Sequence, residues 1–242
     1  MTAASSPHRG ASMSRWRRAA FAMTAALIIP VGAVTHASAA TAATPEHRKI
    51  VTVSVKSASS TYGKLTAWRW STKQQRYVRS FKPVRAYVGT GGVGQASEYV
   101  SRTPAGVFGL TEAFGTQSNP GTRLPYRQVG YSSWWVSDVS SRYYNTYQEC
   151  APGGQCGFNQ SASEQLGAIS LYRYAVVMDY NRNPVKSGAG SAFFLHVSAG
   201  KATEGCVAIR EGKLTRLMRW LTPAKDPVIS IGVGASAYQP IR

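Results

Sequence analysis

Apolar and polar residues alternate along much of this 242-residue chain. A period of two is typical of β-strands that bury one face. Three such stretches lie in the first part of the chain: Val51, Val53 and Val55 alternate with polar residues, Thr66, Trp68 and Trp70 share one side, and Val84 to Val88 form the third. The pattern therefore predicts three early strands.

Further strands and one helix are predicted in the second half of the chain. The strand-like stretches are Tyr174 to Tyr180, Ala192 to Val197 and Pro227 to Ile231. A single apolar face at i, i+3, i+4 and i+7 predicts a helix, which Pro223 would end: Leu214, Leu217, Met218 and Leu221. We expect a mainly β domain with one C-terminal α-helix.

Residues 117–160 show little periodicity and are rich in Ser, Asn, Pro, Gly and Tyr. A segment of this length is either functional or poorly ordered. Its aromatic residues favour an ordered cap folded over the domain: Trp134, Trp135, Tyr143, Tyr144 and Tyr147. Cys150 and Cys156 would close a small disulfide loop within this cap in an oxidising compartment.

The first 39 residues have the pattern of a secretory signal peptide. Arg15, Arg17 and Arg18 precede an apolar run from Ala19 to Val34, and Ala37-Ser38-Ala39 is a small-x-small cleavage signal. The run is short and interrupted for a membrane anchor. We expect a secreted protein with a linker at 40–49, a catalytic domain at 50–234 and a C-terminal tail at 235–242.

The net charge of the chain indicates which class of molecule it is expected to bind. The leader contains four arginines and no acids, so subtracting four from the net +18 leaves +14 for the mature chain. Such a charge attracts polyanions. The chain has no Lys/Arg run, helix-turn-helix pattern or metal finger, so nucleic acid is disfavoured. For an exported protein the expected partner is the anionic cell wall, with no membrane span after signal cleavage.

His196 and Cys206 are the candidate reactive residues. His196 is the only one of four histidines inside the predicted domain, and Cys206 is the odd cysteine of three. His196 ends an apolar run, and the chain could return beside it at Cys206 through a hairpin or loop. The pair could also be a packed core histidine and a structural cysteine. A zinc set with Cys150 and Cys156 lacks the close ligand pairs of structural zinc sites.

The residues around this pair resemble the active-site signature of the L,D-transpeptidases, the YkuD-like family. That signature is a histidine, a spacer, then S/T-H-G-C and an apolar residue, and here Thr203-Glu204-Gly205-Cys206 precedes Val207. A second family hallmark, T-P-x-G-x-F, is matched by the stretch from Thr103 to Phe108. Together the two ordered motifs are much more specific than either alone.

The resemblance implies a β-sandwich or barrel-like fold and a peptidoglycan acyltransferase that acts on stem peptides. It implies that Cys206 is the nucleophile, that His196 draws its proton and later activates the acceptor amine, and that no metal or cofactor takes part. We expect backbone N–H groups of Gly205 and Cys206 to stabilise the oxyanion and the chain to be a monomer. The substrate-side candidates are Thr203, Glu204, Val197, Tyr144 and Trp135.

Three departures from the family pattern bear on substrate binding. The spacer between His196 and Cys206 is nine residues, which is shorter than usual, and Ala208 stands where many members carry arginine. Glu204 replaces the motif histidine, and its carboxylate would oppose a thiolate unless it points away or pairs with Lys201 or Arg210. The alternative function is a catalytically inactive or regulatory wall-binding module of the same fold.

Overall fold

The computed structural model describes residues 45–241. The predicted signal peptide and the start of the linker lie outside this range. Sixteen strands form the framework: β1 Lys49–Val55, β2 Tyr62–Ser71, β3 Arg76–Arg79, β4 Val84–Tyr87, β5 Val93–Gly94, β6 Thr103–Pro104, β7 Gly106–Gly109, β8 Ala113–Gly115, β9 Tyr126–Gln128, β10 Ser133–Trp135, β11 Tyr147–Glu149, β12 Glu164–Gln165, β13 Ala175–Val177, β14 Phe194–Val197, β15 Val207–Ile209 and β16 Val228–Val233.

Helices are few and mostly short. The described residues contain one α-helix, α1, at Glu211–Trp220, which confirms the predicted helix. Five 3₁₀ segments lie at Gln160–Ala162, Leu166–Ala168, Ser170–Arg173, Pro223–Lys225 and Gly234–Ile241. None of the helices in this part of the chain has the length and apolar character that a membrane span needs.

Eleven strands form one mixed sheet that curls into a half-barrel. Its order is β7-β16-β1-β2-β4-β15-β14-β13-β8-β9, and β3 pairs with β2. Three pairings are parallel, namely β1 with β16, β14 with β15, and β8 with β9. The predicted mainly β fold is therefore confirmed.

The two faces of this sheet bury separate apolar cores. Leu195 and Val197 point to a core that includes Leu214 and Leu217 of α1. Phe194 points the other way, because successive side chains of a strand alternate between faces. The second core, here called the cap-side core, comprises Phe114, Val129, Trp135, Leu166, Tyr172, Ala175, Val177, Ala192, Phe194 and Cys206.

The outer side of β1 and β2 is covered rather than open to solvent. Thr52 is fully buried, and the Trp68 indole N–H donates to its hydroxyl at 3.0 Å. The C-terminal 3₁₀ segment packs here, with Ala237 fully buried and the Tyr238 ring edge-on to Trp68. Residues of the expected C-terminal tail thus pack against β1 and β16. The polar position Thr52 of β1 is therefore buried together with its apolar neighbours.

The segment predicted as a cap is ordered. Its strands β11, β10 and β12 form a separate three-stranded sheet, and the Trp134 indole N–H donates to the Cys150 carbonyl at 2.8 Å. Cys150 and Cys156 have their Cα atoms 5.7 Å apart, a separation that a disulfide spans without backbone movement. Because Trp135 and Tyr172 both enter the cap-side core, the cap packs against the sheet.

Candidate active site

Parallel pairing of β14 and β15 brings His196 and Cys206 together. His196 lies opposite Ala208 and Leu195 opposite Val207, so Cys206 stands beside the start of β14. The Phe194 backbone N–H donates to the Cys206 sulfur at 3.3 Å. The connection is therefore a crossover loop, and of the two expected connections the hairpin is excluded because a hairpin joins antiparallel strands.

Threonine hydroxyls fix the loop before Cys206. Thr203 donates its backbone N–H to Val88 and receives one from Thr90. Its side-chain hydroxyl donates to the Cys206 carbonyl at 2.7 Å. The buried Thr103 hydroxyl, from the second sequence motif, donates to the same carbonyl at 3.3 Å. Both motifs therefore meet at the backbone of the candidate nucleophile.

The Cys206 thiol is free and buried, with 9% of its surface exposed. Its S–H can donate to the Ala192 carbonyl at 3.3 Å, and Tyr172 belongs to the same buried core. Burial, and then the charge of Glu164, raises the pKa of the thiol. The resting side chain is consequently a neutral thiol.

His196 is held from its own strand. Its Nδ1 lies 2.8 Å from the Val197 carbonyl, and because a carbonyl can only accept, Nδ1 carries the proton and Nε2 is free to accept one. The Val197 backbone carbonyl therefore orients the imidazole ring. Burial lowers the pKa of His196, so the imidazole is neutral as well.

No hydrogen bond joins His196 to Cys206 in the part of the chain that the structure describes. The Tyr172 ring meets the His196 ring edge-on, with centroids 5.4 Å apart. Burial disfavours charge on both reactive groups. The expected thiolate–imidazolium pair is therefore not the state that this environment favours at rest.

A cavity of about 560 Å³ opens onto the two reactive residues. Its polar and reactive lining consists of Ser97, Glu98, Tyr99, Ser101, Ser137, Glu164, Tyr172, Ser191, His196, Lys201, Thr203, Glu204 and Cys206. Three carboxyl groups and one lysine face this space. The cavity is thus acidic, although the chain as a whole carries a net charge of +18.

Two of the five substrate-side candidates, Thr203 and Glu204, line this cavity, together with Ala208. Val197 packs in the core beneath α1 instead. The other two candidates, Trp135 and Tyr144, do not line the cavity either. Their polar groups form hydrogen bonds inside the protein instead. The Trp135 indole N–H donates to Asn145 at 2.9 Å, and the Tyr144 hydroxyl donates to Glu98 at 2.5 Å.

Glu204 forms a hydrogen bond with a neutral side chain. Its carboxylate accepts a hydrogen bond from the Ser101 hydroxyl at 2.6 Å. Within residues 45–241 it forms no ion pair with Lys201 or Arg210, which were the partners considered from sequence. The carboxylate points to the 95–102 loop across the cavity, and this accounts for its tolerance next to Cys206.

One of the two predicted oxyanion donors already donates a hydrogen bond within the protein. The Gly205 N–H donates to the Thr203 hydroxyl at 3.2 Å. The Cys206 N–H has no protein acceptor among the described residues. Of the two N–H groups, the one of Cys206 therefore stays available to a ligand in this part of the chain.

Sequence reasoning missed Glu164 and Tyr172. The Tyr172 hydroxyl donates to the Glu164 carboxylate at 2.5 Å, and both side chains line the cavity. Burial raises the pKa of Glu164 to about 7, while its bond to Tyr172 acts in the opposite direction. The two residues lie between the aperiodic segment at 117–160 and the predicted strand that begins at Tyr174, and no spacing in the sequence distinguishes them.

The residues considered as a zinc set do not converge. In the described part of the chain, the one group of three or more metal-type ligands is Glu46, His47 and Asp226, near the start of the domain. Cys150 and Cys156 lie together in the cap, whereas Cys206 bonds to Phe194 and Ala192. The structure thus rules out that ligand arrangement.

Gly205→Ala should displace the nucleophile. Gly205 has φ of 151°, and a Cβ there would lie 2.7 Å from Phe193. We expect a loss of about 1–3 kcal/mol in the free energy of unfolding and altered Cys206 labelling, measured by urea denaturation and iodoacetamide kinetics. Gly212→Ala, with open space around it, is the control and should be neutral or stabilise α1 by up to about 1 kcal/mol. Equal effects of the two changes would contradict this steric role.

The stability of the protein should fall as Glu164 ionises. Because its folded pKa is about 7 against an ordinary value of 4.5, the protonated form is favoured by folding. Its contribution is fully present below pH 4.5 and is lost as pH rises through 7, by up to about 3 kcal/mol. Glu164→Gln should lack this decline when urea unfolding is compared from pH 4 to 8. Parallel curves for the two proteins would contradict the assignment.

Comparison with known proteins agrees with this geometry. The L,D-transpeptidase catalytic domain (YkuD) matches residues 66–229, which include Thr103, His196 and Cys206. A search of curated proteins found no match. A match over more than half of the chain, with both motifs meeting at the Cys206 backbone, leads to a single conclusion: the chain belongs to the L,D-transpeptidase (YkuD) family.

Proposed function

We propose that this protein is an exported cysteine acyltransferase that acts on peptidoglycan stem peptides. The family acts on such peptides. The observation that carries the proposal is the position of the Cys206 sulfur: it lies at the wall of the 560 Å³ cavity, with the Phe194 N–H directed at it. His196 lines the same cavity with Nε2 free.

The proposed reaction has two halves. In the first, His196 takes the thiol proton of Cys206 and the sulfur attacks the carbonyl next to a terminal D-alanine. A thioester forms as the bond to the D-alanine nitrogen breaks, and His196 gives the proton to the departing amine. The Cys206 N–H stabilises the oxyanion. In the second, an amine of another stem, or water, attacks the thioester, and His196 takes a proton from that nucleophile and passes it to the departing sulfur.

The buried and neutral Cys206 thiol favours one other function. A wall-binding module of the same fold needs no ionised thiol, and the net charge of +14 left after removal of the four leader arginines from +18 would attract the anionic wall. Such a module would bind sacculi but would produce neither cross-linked dimers nor tripeptides. Product analysis separates the two functions.

Purified protein should convert tetrapeptide-bearing muropeptides into cross-linked dimers or tripeptides, as seen by liquid chromatography with mass detection. Cys206→Ser should lose these products altogether. His196→Ala should lower turnover at least about 100-fold, the low end of what a general base contributes. Gly212→Ala, on α1 and outside the cavity, is expected to retain the products and controls for general effects of substitution. If wild type gives no products but sediments with sacculi, the binding module is the correct function.

Export and the cap disulfide are proposed together. The intact mass of protein collected from the medium of an expressing bacterium should correspond to a chain that begins at residue 40. It should also be lighter by two hydrogens than the reduced chain, with the bond mapped to Cys150 and Cys156. A retained leader would contradict export, and a linkage to Cys206 would contradict a free nucleophile.

A further inference from the structure

Three adjoining cavities outside the candidate active site are lined by basic side chains. The first, of about 440 Å³, is lined by α1 and by the connection from β3 to β4. It shares Val84 and Lys213 with a second cavity of about 470 Å³, which in turn shares Val84 and Arg85 with a third of about 710 Å³. Because neighbouring cavities share wall residues, the three form one continuous recess, here called the basic groove.

The charges that line the basic groove all have one sign. Its exposed cationic side chains are Lys56, Lys64, Arg79, Lys82, Arg85, Arg210, Lys213 and Arg216. All ten Asp and Glu residues of the chain lie within residues 45–241, and none of them lines the groove. The cavity at Cys206 is acidic by contrast. The groove is therefore a separate region of positive potential.

The cations of the first cavity are not neutralised within the described part of the chain. Four of them form no side-chain hydrogen bond or ion pair with another residue of 45–241: Arg79, Lys82, Lys213 and Arg216. Glu211, the acid of α1, pairs with Arg173 at 3.2 Å instead. Like charges are thus held together without acids, and an anionic ligand would relieve their repulsion.

Ser80 adds an uncharged donor to the same cavity. Its hydroxyl oxygen is the one buried side-chain oxygen or nitrogen without a hydrogen-bond partner among the residues that the structure describes. Buried polar atoms of native proteins are nearly always hydrogen-bonded. Because Ser80 as a whole is partly exposed at the cavity wall, rotation about its Cα–Cβ bond would turn the hydroxyl toward a ligand.

We propose that the basic groove binds a linear polymer linked by phosphodiesters, of the anionic polyol phosphate class of cell-wall polymers. Arginine and lysine are the usual side-chain partners of phosphate, and in the first cavity they come from two sides, the β3–β4 connection and α1. A tetrahedral phosphate accepts from both sides at once. Three cavities in a row suit repeating charges, and an aliphatic floor would contact the carbon segments between them: Leu65, Ala67, Ile209 and Leu217.

Other polyanions fit the groove less well. Single-stranded nucleic acid binds by stacking its bases on aromatic rings, but arginines already lie over two rings at the groove. The Arg216 guanidinium is 4.5 Å from the centroid of Phe81, and that of Arg85 is 4.7 Å from the centroid of Tyr62. A membrane surface is broad, whereas these cations line recesses. A flexible chain without bases matches the groove better than either.

The basic groove lies next to the candidate active site. Ser198 and Gly200 line its second cavity, and Ala199 and Lys201 of the same loop line the acidic cavity at Cys206. A wall polymer held in the groove would keep the candidate active site close to the wall. Binding in the groove does not itself require acyl transfer.

Labelled poly(glycerol phosphate) tests the groove directly, by fluorescence anisotropy with the full chain. Wild type is compared with the groove variant Lys213→Gln/Arg216→Gln and with the control Lys73→Gln/Arg123→Gln, which removes the same charge at exposed positions outside the three cavities. We expect the groove variant to bind at least about 10-fold more weakly and to lose less affinity as salt rises, because fewer counterions are released. The control should stay within about 2-fold of wild type.

Ser80→Ala tests the hydroxyl without a change in charge. We expect binding to weaken about 3-fold or more, since a hydrogen bond to a charged group is lost, with the salt dependence unchanged. Thermal unfolding of the free protein should not be destabilised, because the Ser80 hydroxyl has no partner there among the described residues. Wild-type affinity in Ser80→Ala would overturn the role of the hydroxyl as a ligand.

Equal losses of affinity in the groove and control variants would overturn the groove, because net charge alone would then explain binding. Polyglutamate, duplex DNA and phosphatidylglycerol vesicles are the competing partners. If any of them binds more tightly than poly(glycerol phosphate) and loses that affinity in the groove variant, the phosphodiester polymer is the wrong occupant. Circular dichroism checks folding, and Lys82→Gln in the β3–β4 connection decides the matter if the α1 variant does not fold.

The proposed function can fail independently of the groove. Polymer binding requires no muropeptide and no thiol, so Cys206→Ser should bind like wild type. Polymer binding by a protein that yields no muropeptide products would retain the groove and overturn the acyltransferase. Products from a wild-type protein that does not bind the polymer would do the reverse.

Discussion

Parallel pairing of β14 with β15 is the constraint on which the site depends. It sets His196 opposite Ala208 and so places Cys206 beside Phe194, at the end of the strand pair. A parallel connection has to return along the strands before it can pair again. The loop makes that return in nine residues and ends at Gly205, where positive φ and the nearby Phe193 ring exclude a side chain.

Burial explains both where the reactive groups lie and which protonation state each of them adopts. The cap covers the face of the sheet that carries Phe194, and Tyr172 enters that core next to the thiol. The same low-polarity surroundings raise the pKa of Cys206 and lower that of His196. An apolar environment thus favours the neutral form of both members.

The departures from the family signature have local structural explanations. Glu204 accepts from Ser101 across the cavity and needs no cationic partner. The short spacer is sufficient because Thr203 is tied to the backbone at Val88 and Thr90 and to the Cys206 carbonyl. Ala208 lines the cavity and leaves room where a larger side chain would fill it.

The sequence by itself predicted six of the sixteen strands and the α-helix, and it indicated the two candidate reactive residues, because each depends on local periodicity or on a compact motif. It also indicated the cap, from aromatic residues that an open loop would not retain. Only the tertiary structure decided which groups meet Cys206. Trp135 and Tyr144 are residue types that often contact substrates, but here their polar groups donate hydrogen bonds to Asn145 and Glu98.

Glu164 and Tyr172 carry no sequence signal, because their proximity to the thiol comes from the cap packing on the sheet. Likewise, Thr52 has the pattern of a surface residue and is buried only because the C-terminal segment covers β1. Periodicity reports which side of a strand is apolar. What lies against either side is decided by residues far along the chain, and local pattern holds no information about them.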